Sequence, residues 1–424
     1  MSLLIRGGRL IDTASATDGL RDVYIDGGKI VGIGSAPPAF RADRTIDAGA
    51  LVVCPGLVDL AARLREPGNE YKATLESEMA AAVAGGVTSL SCPPDTDPPL
   101  DEPGLVEMLK HRARSLNQSH VHPLGALTLG LKGQQITEMA ELVEAGCVGF
   151  SQADAALTDN QVLLRAMQYA TTFGYPVWLR PSDAALARGG VAHDGRVATR
   201  LGLPAIPAIA ETVAVSTILM LARETGATVH LCRLSSAEAV EIVRKAKSGG
   251  LKLSCDVSAH HVHLSEMDIG FFDSNCHLVP PLRSGRDRDA LRRGLEDGTI
   301  DAICSDHSPV DEDAKQLPFG ESEAGATGLE LLLPLVLKWA DEAAVPLPAA
   351  LAKVTLEPAR ILKIPAGRVA IGSGADLCIF DPKASWKVGP SALRSQGKNT
   401  PFSGIELRGR VRYTIVDGQV VHEP

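Results

Sequence analysis

At 424 residues, 45% of them hydrophobic and 22% charged, the chain is long enough to bury a full core and too long for one small domain. That balance excludes a disordered chain. A net charge of −9 excludes a general binder of nucleic acid or anionic membrane, because no basic excess exists to displace phosphate counterions. The segment MSLLIRGGRLID enters a strand-like pattern at once, without the apolar core and cleavage site of a signal peptide. No run approaches the roughly 20 apolar residues that cross a bilayer. The eight cysteines, at 54, 92, 147, 232, 255, 276, 304 and 378, stand singly with no C-x-x-C pair, as reduced and buried thiols of a cytoplasmic protein do.

The first 55 residues read as short strands, LLIRGGRLID, DVYIDGGKIVGIG and TIDAGALVVCPG, split by turn signals that include Gly-Gly at 7–8 and 27–28. The C-terminal stretches GRVAIGSGADLCIFD and IELRGRVRYTIVDGQVV match them, with Asp417-Gly418 as a hairpin turn. Residues 1–55 and 365–424 are therefore expected to build one small β-sandwich from both ends. Between them, residues 56–364 alternate. DLAARL is followed by the helix-like ESEMAAAVAGG, then VTSLSCPP, and the pattern continues to IDAICSDHSP and GLELLLPLVLKWADE. Helices ending in glycine before β-branched runs are the marks of repeated βα units. Eight strands over this span point to an α/β fold of the (β/α)8 barrel type, with a doubly wound sheet as the alternative on pattern alone.

In such a barrel the chemistry stands at the C-terminal ends of the strands. That rule selects Ala61 and Arg63 after the first strand, Asp95 after the second, and Gln152 and Ala153 after the fourth. It then selects Arg180 after the fifth, Arg233 after the sixth, and Asp306 with His307 after the eighth. A hydrolytic metal centre needs deprotonated N and O donors. The rim offers Asp306 and His307 alongside three arginines, which stay protonated and have no lone pair to give. At about 4 Å and an effective dielectric near 20, each guanidinium opposes a like unit charge by roughly 4 kcal/mol.

At these positions the chain resembles the dihydroorotases, the cyclic amidohydrolases of pyrimidine synthesis. PGLVDLAARLREPG is similar to the family's PG-x-x-D-x-H-x-H-x-R-x-PG, CPPDTDPP to its M-P-N-T-x-P-P, and GFSQAD to its F-S-D-D-G. VPPLRS resembles N-P-P-L-R-S, ICSDHSP resembles A-T-D-H-A-P, and GKNTPFSGIELRGRV the family's run near the end. The likeness covers nearly the whole chain and implies a metal-binding barrel with an accessory sandwich. The family's first-strand metal histidines correspond to Ala61 and Arg63, its bridging carboxylate to Gln152 or Ala153, and its later histidines to Arg180 and Arg233. Only the aspartate, Asp306, is in place. Of the substrate-holding residues Arg65 is kept, one asparagine has become Asp95, and the other aligns with Val279. An acid at 95 would repel carbamoyl aspartate or dihydroorotate.

The resemblance thus implies a pseudo-dihydroorotase with no catalytic residues and no zinc. Such proteins serve as a non-catalytic subunit holding the catalytic chains of aspartate carbamoyltransferase in a mixed assembly. A homodimer or higher homo-oligomer is the default state. Two other readings are a residual or altered metal-dependent amidohydrolase, using Asp306 and recruited histidines, and a sensor of small anions or nucleotides using the arginines. His260, His261 and His263 form HHVH; on a strand only 261 and 263 would share a face, and a structural role is expected. His307 would transfer protons only with a substrate pocket beside it. Arg63, Arg180 and Arg233 are expected to fill the former metal cavity and pair with Asp306, Asp95 or backbone carbonyls. The arginine-rich segments 110–120 and 283–294 would be interface or solvated helix, and the acidic segment 309–328 a loop that is mobile or partner-bound.

Overall fold

The computed structural model of the protein describes residues 2–423. Its barrel has eight parallel strands: Leu57–Asp59, Val87–Cys92, a third made of His120–Pro123 and Gly125–Ala126, then Phe150–Ser151, Val177–Leu179, Val229–Leu231, Leu253–Ser258 and Ala302–Cys304. The third is interrupted at Leu124, which bonds the Cys92 carbonyl while Gly125 bonds Gly149, so that one strand serves both neighbours. The circle closes where the His307 N–H donates to the Ala61 carbonyl at 3.0 Å and Arg63 N–H to His307 at 2.9 Å. The doubly wound alternative is thereby set aside.

Local chemistry fixes the helices between the strands. Thr74 and Ser77 form a capping box at the start of Leu75–Ala84, and Gly174 (φ 73°) and Gly226 (φ 70°) end Asn160–Phe173 and Ile209–Thr225 in the left-handed conformation that glycine adopts without strain. Inside the barrel Val58, Leu60, Leu124, Trp178, Ala302 and Cys304 pack a small core; a larger one lies between strands and helices. Among the described residues no helix is long and apolar enough to cross a membrane.

Strands from both ends of the chain form a single eight-stranded sheet around a separate core that includes Leu3, Ile25, Val53, Leu377 and Ile415. The sheet curls back on itself: Ile30 N–H bonds Ser373 O at 3.0 Å and Ala375 N–H bonds Gly28 O at 3.0 Å. Gly27-Gly28 and Asp417-Gly418 are tight turns with positive φ at both residues. Gly7-Gly8 is not the turn expected from sequence. It is a bulge inside the continuous strand Leu3–Asp12, where a Cβ on Gly8 would meet Val53 Cγ2 at 2.6 Å.

The barrel mouth as candidate functional site

All the residues selected by the barrel rule stand at the strand ends, and an additional one lies at their centre. Asp154, two residues beyond Gln152, accepts hydrogen bonds from Arg63 Nη2 (2.6 Å), Arg233 Nη2 (2.5 Å) and Arg180 Nε. Arg63 also donates through Nε to Asp95 at 2.7 Å and through Nη1 to Ser308 Oγ at 3.0 Å. Arg233 donates to Asp306 at 2.8 Å and to the Val279 carbonyl at 3.2 Å. Asp306 lies 3.6 Å from Arg63 as well. Three guanidinium groups therefore face three carboxylates, and the cluster is electrically balanced.

Neither Gln152 nor Ala153 takes the place of a bridging carboxylate. The Gln152 amide turns away from the mouth, accepting from Thr128 Oγ1 (2.9 Å) and donating to the Leu131 carbonyl (2.8 Å). Ala153 sits in the left-handed region (φ 49°), and the chain beyond it carries Asp154 to the arginines. Arg65 (φ 62°), Arg233 (φ 55°) and Asp306 (φ 48°) share that conformation, uncommon outside glycine, so the rim holds strained backbone at four of its positions. Arg65 donates to the Pro309 carbonyl at 2.8 Å and lies 3.9 Å from Glu323, away from the arginine cluster. The side chain of Ala61 contributes only an apolar wall.

The electrostatics follow from this packing. Burial pushes the Asp154 carboxyl up, but Arg233, Arg180 and Arg63 together hold it well below the usual carboxylate range. Asp306 is pushed up by burial, which Arg233 and Arg63 only partly offset. Arg63 and Arg233 are held above the ordinary arginine value by these carboxylates, in spite of burial. The carboxylates that could ligate a metal already neutralise guanidinium groups. A dication entering a balanced cluster gains little net Coulomb energy while losing hydration, so these residues do not fit the zinc that the fold would otherwise hold. The void left between Ala61, Arg63, Trp178, Arg180 and Arg233 is about 20 Å3, room for about one water, while the outer side of Asp154 and Arg180 borders a wider cavity of about 460 Å3.

His307 does not reach the mouth. Its Nδ1 accepts from the Gly328 N–H at 3.1 Å, which leaves the proton on Nε2 to donate to Glu78 at 2.5 Å. The HHVH run is a short helix, Ala259–His263, instead of the strand that the alternation argument assumed, because Ser258 caps it through the His261 N–H. The three rings diverge. His260 lies against Phe402 with neither ring nitrogen bonded among the described residues, His261 contacts Ser258 and the Pro281 carbonyl, and His263 reaches the Leu335 carbonyl at 2.8 Å. They do not form a metal cluster.

Burial pushes all three imidazoles down to about 4. Groups held down in this way contribute stability that is complete above about pH 6.5 and is lost as the pH falls towards 4. Asp59, pushed up to about 6 by burial against its hydrogen bonds from Ser305, acts oppositely: its contribution is complete below about pH 4 and lost as the pH rises to 6. Burial pushes His122 and His277 down to about 4 as well, and five imidazoles outweigh one carboxyl. The urea midpoint is expected to fall steeply between pH 7 and 4.5, and His260→Leu to remove roughly a fifth of that fall. A midpoint that stays level over this range would show that the rings charge without unfolding.

Two other segments are tied down. The acidic segment 309–328 carries a short helix, Glu312–Gln316; Phe319 is buried against His277, Glu323 pairs with Lys72 at 2.6 Å, and Asn399 bonds the Ser308 and Gly325 carbonyls at 3.0 Å each. In the arginine-rich helix Gly285–Glu296, Arg286, Arg288 and Arg292 pair with Glu238, Asp289 and Glu342, as on a solvated face.

The chain matches the family described as Dihydro-orotase-like over residues 50–239 and the Amidohydrolase family over residues 180–421. It is 45% identical to a "Dihydroorotase-like protein" of Pseudomonas aeruginosa and 39% identical to a dihydroorotase of Geobacter sp., in each case over 100% of both chains. An L-hydantoinase (dihydropyrimidinase) from Arthrobacter aurescens superposes with a TM-score of 0.89 at 25% identity, over 99% of this chain and 96% of that one. With a two-part architecture that superposes on hydantoinases and full-length identity well above the level of chance, the chain belongs to the dihydroorotase-like proteins of the amidohydrolase family.

Proposed function

We propose that the chain is a catalytically silent dihydroorotase homologue, cytoplasmic, that acts as the non-catalytic subunit supporting assembly of aspartate carbamoyltransferase in pyrimidine synthesis. The observation that carries the silent half of this reading is the balanced cluster of Arg63, Arg180 and Arg233 with Asp95, Asp154 and Asp306. It takes up the place where imidazoles would hold metal and leaves about 20 Å3 between the arginines and Ala61. The partner half is supported by the resemblance of the sequence to the non-catalytic homologues.

The test has two arms. Dihydroorotase turnover is expected to be absent in both directions with zinc supplied, and co-expression with the aspartate carbamoyltransferase chain to give a joint peak on size exclusion larger than either alone. Turnover that disappears in Asp306→Asn would establish a residual amidohydrolase instead. Separate elution would end the subunit assignment. A nucleotide-dependent rise in melting temperature at constant salt, lost in Arg180→Ala, would favour an anion sensor. The pairing of every mouth arginine with a carboxylate argues against that outcome.

A further inference from the structure

At the opposite end of the barrel from the mouth, three potential metal donors converge where the barrel meets the curled sheet. His120 opens the third strand, Asp376 precedes the strand Leu377–Lys387, and Asp417 lies in the hairpin turn after Glu406–Val416. His120 Nε2 is 3.3 Å from Asp376 Oδ2 and 3.8 Å from Asp417 Oδ1, and the three donor atoms all lie within 4.8 Å of one another. Tetrahedral zinc with bonds of about 2.0–2.1 Å keeps its ligand atoms about 3.4 Å apart. A separation of 3.3 Å fits that spacing and is long for a charged N–H···O contact. The Asp417 N–H bonds the other oxygen of Asp376, Oδ1, at 2.8 Å and leaves Oδ2 facing the imidazole.

A simple ion pair between His120 and Asp376 would account for those three residues, but not for their neighbours. His122, two positions along the strand and therefore on the same face, has a buried Nε2 with no partner among the described residues. Gln118 Oε1, also buried, has none either. Both side chains line one cavity of about 380 Å3 together with His120 and Asp417. Buried polar atoms left unbonded cost about 1–3 kcal/mol each, so an unbonded nitrogen and an unbonded oxygen in one cavity call for a partner. Lys110 and Arg114 line the same cavity and oppose a cation; Lys110 is drawn toward the Gly146 carbonyl at 3.4 Å, and the two carboxylates offset the pair.

The geometry points to a zinc site at this seam, with His120, Asp376 and Asp417 as ligands, a water as the fourth, and His122 Nε2 and Gln118 Oε1 in the adjoining cavity as partners for that water. Its ligands come from both parts of the fold, so the ion would clamp barrel to sheet. It shares no residue with the barrel mouth and does not rest on the reading of the mouth as silent.

Full-length protein stripped with a chelator and titrated with Zn2+ at pH 7.5, by calorimetry and by the absorbance of substituted Co2+, is expected to bind one equivalent and to melt at a higher temperature. His120→Ala and Asp376→Asn are each expected to weaken binding by about 100-fold or more, and His122→Ala by roughly tenfold. Asp306→Asn is expected to leave binding unchanged. No zinc uptake by the native chain, or uptake that survives in both His120→Ala and Asp376→Asn, would overturn the site while leaving the silent mouth intact. Uptake abolished only by Asp306→Asn would place the ion in the mouth and overturn both readings.

Discussion

Replacing Asp154 with asparagine is expected to destabilise the protein by about 3 kcal/mol, toward the low end of what breaking a buried ion pair costs. The substitution preserves shape and removes one negative charge from between three guanidinium groups. Arg63 and Arg233 are almost fully buried, and after the change they face only Asp95 and Asp306. The Asp154 side chain itself keeps 30% of its surface exposed, so solvent screens part of the loss and the upper end of the range does not apply. Asp18→Asn is the contrasting control. Its bidentate partner Arg9 is exposed, and the change should cost under 1 kcal/mol. Urea unfolding of both variants at pH 7 makes the comparison. Sulfate, a small anion able to enter beside the unpaired arginines, should recover more stability in Asp154→Asn than in the native chain. Equal midpoints for the Asp154 and Asp18 variants would mean that the arginines do not depend on this carboxylate, and the account of the mouth as a self-neutralised cluster would fail.

The parts of this molecule that were legible from sequence are those governed by local periodicity. Glycine-ended helices and β-branched runs identified the βα repeat, and the repeat located the rim, because each barrel strand ends within a few residues of where its pattern ends. What escaped depended on conformation at single residues. Gly7-Gly8 and Gly27-Gly28 are the same dipeptide, yet one is a bulge and the other a turn, since the first lies where the strand runs close over Val53. HHVH follows a strand but is helical because Ser258 caps it, and that inverted the argument about which rings share a face.

Asp154 was missed for a related reason. Alignment of motifs placed the bridging carboxylate at Gln152 or Ala153, but the left-handed Ala153 advances the chain so that the next residue meets the arginines. One signal was available. Three arginines converging in an enclosed site require about three carboxylates, since unpaired buried charge costs several kcal/mol. Asp95 and Asp306 supply two, and Asp154 is the acid that ends the GFSQAD stretch itself. Charge balance could have found it where homology of position did not. The same reasoning says how the proposed silent mouth would hold together: guanidinium and carboxylate stand as the positive and negative halves of one buried network in place of dication and ligands.

The second large effect is expected at Glu78, which is fully buried on the helix Leu75–Ala84 and binds parts of the chain distant in sequence. It accepts from His307 Nε2 at 2.5 Å, Ser395 Oγ at 2.7 Å and the Gln396 N–H at 3.0 Å, linking the first barrel helix to the last strand end and to the segment before GKNTPF. Glu78→Ala removes both carboxylate oxygens, which also accept from Ser77 Oγ at 2.7 Å, and leaves buried donors unbonded, which should cost about 3–5 kcal/mol. Burial alone would push this carboxyl up, yet the hydrogen bonds from His307, Ser395 and Ser77 hold it below the ordinary glutamate value. Its contribution is therefore complete above about pH 4.5 and lost as the pH falls further. The informative measurement is a double-mutant cycle with His307→Gln, for which a coupling of about 2 kcal/mol is expected between residues in one buried network. A coupling below about 0.5 kcal/mol would mean that Glu78 does not hold the ring. His307 would then be available to the barrel mouth as a proton donor, and the silence proposed for the site would have to be reconsidered.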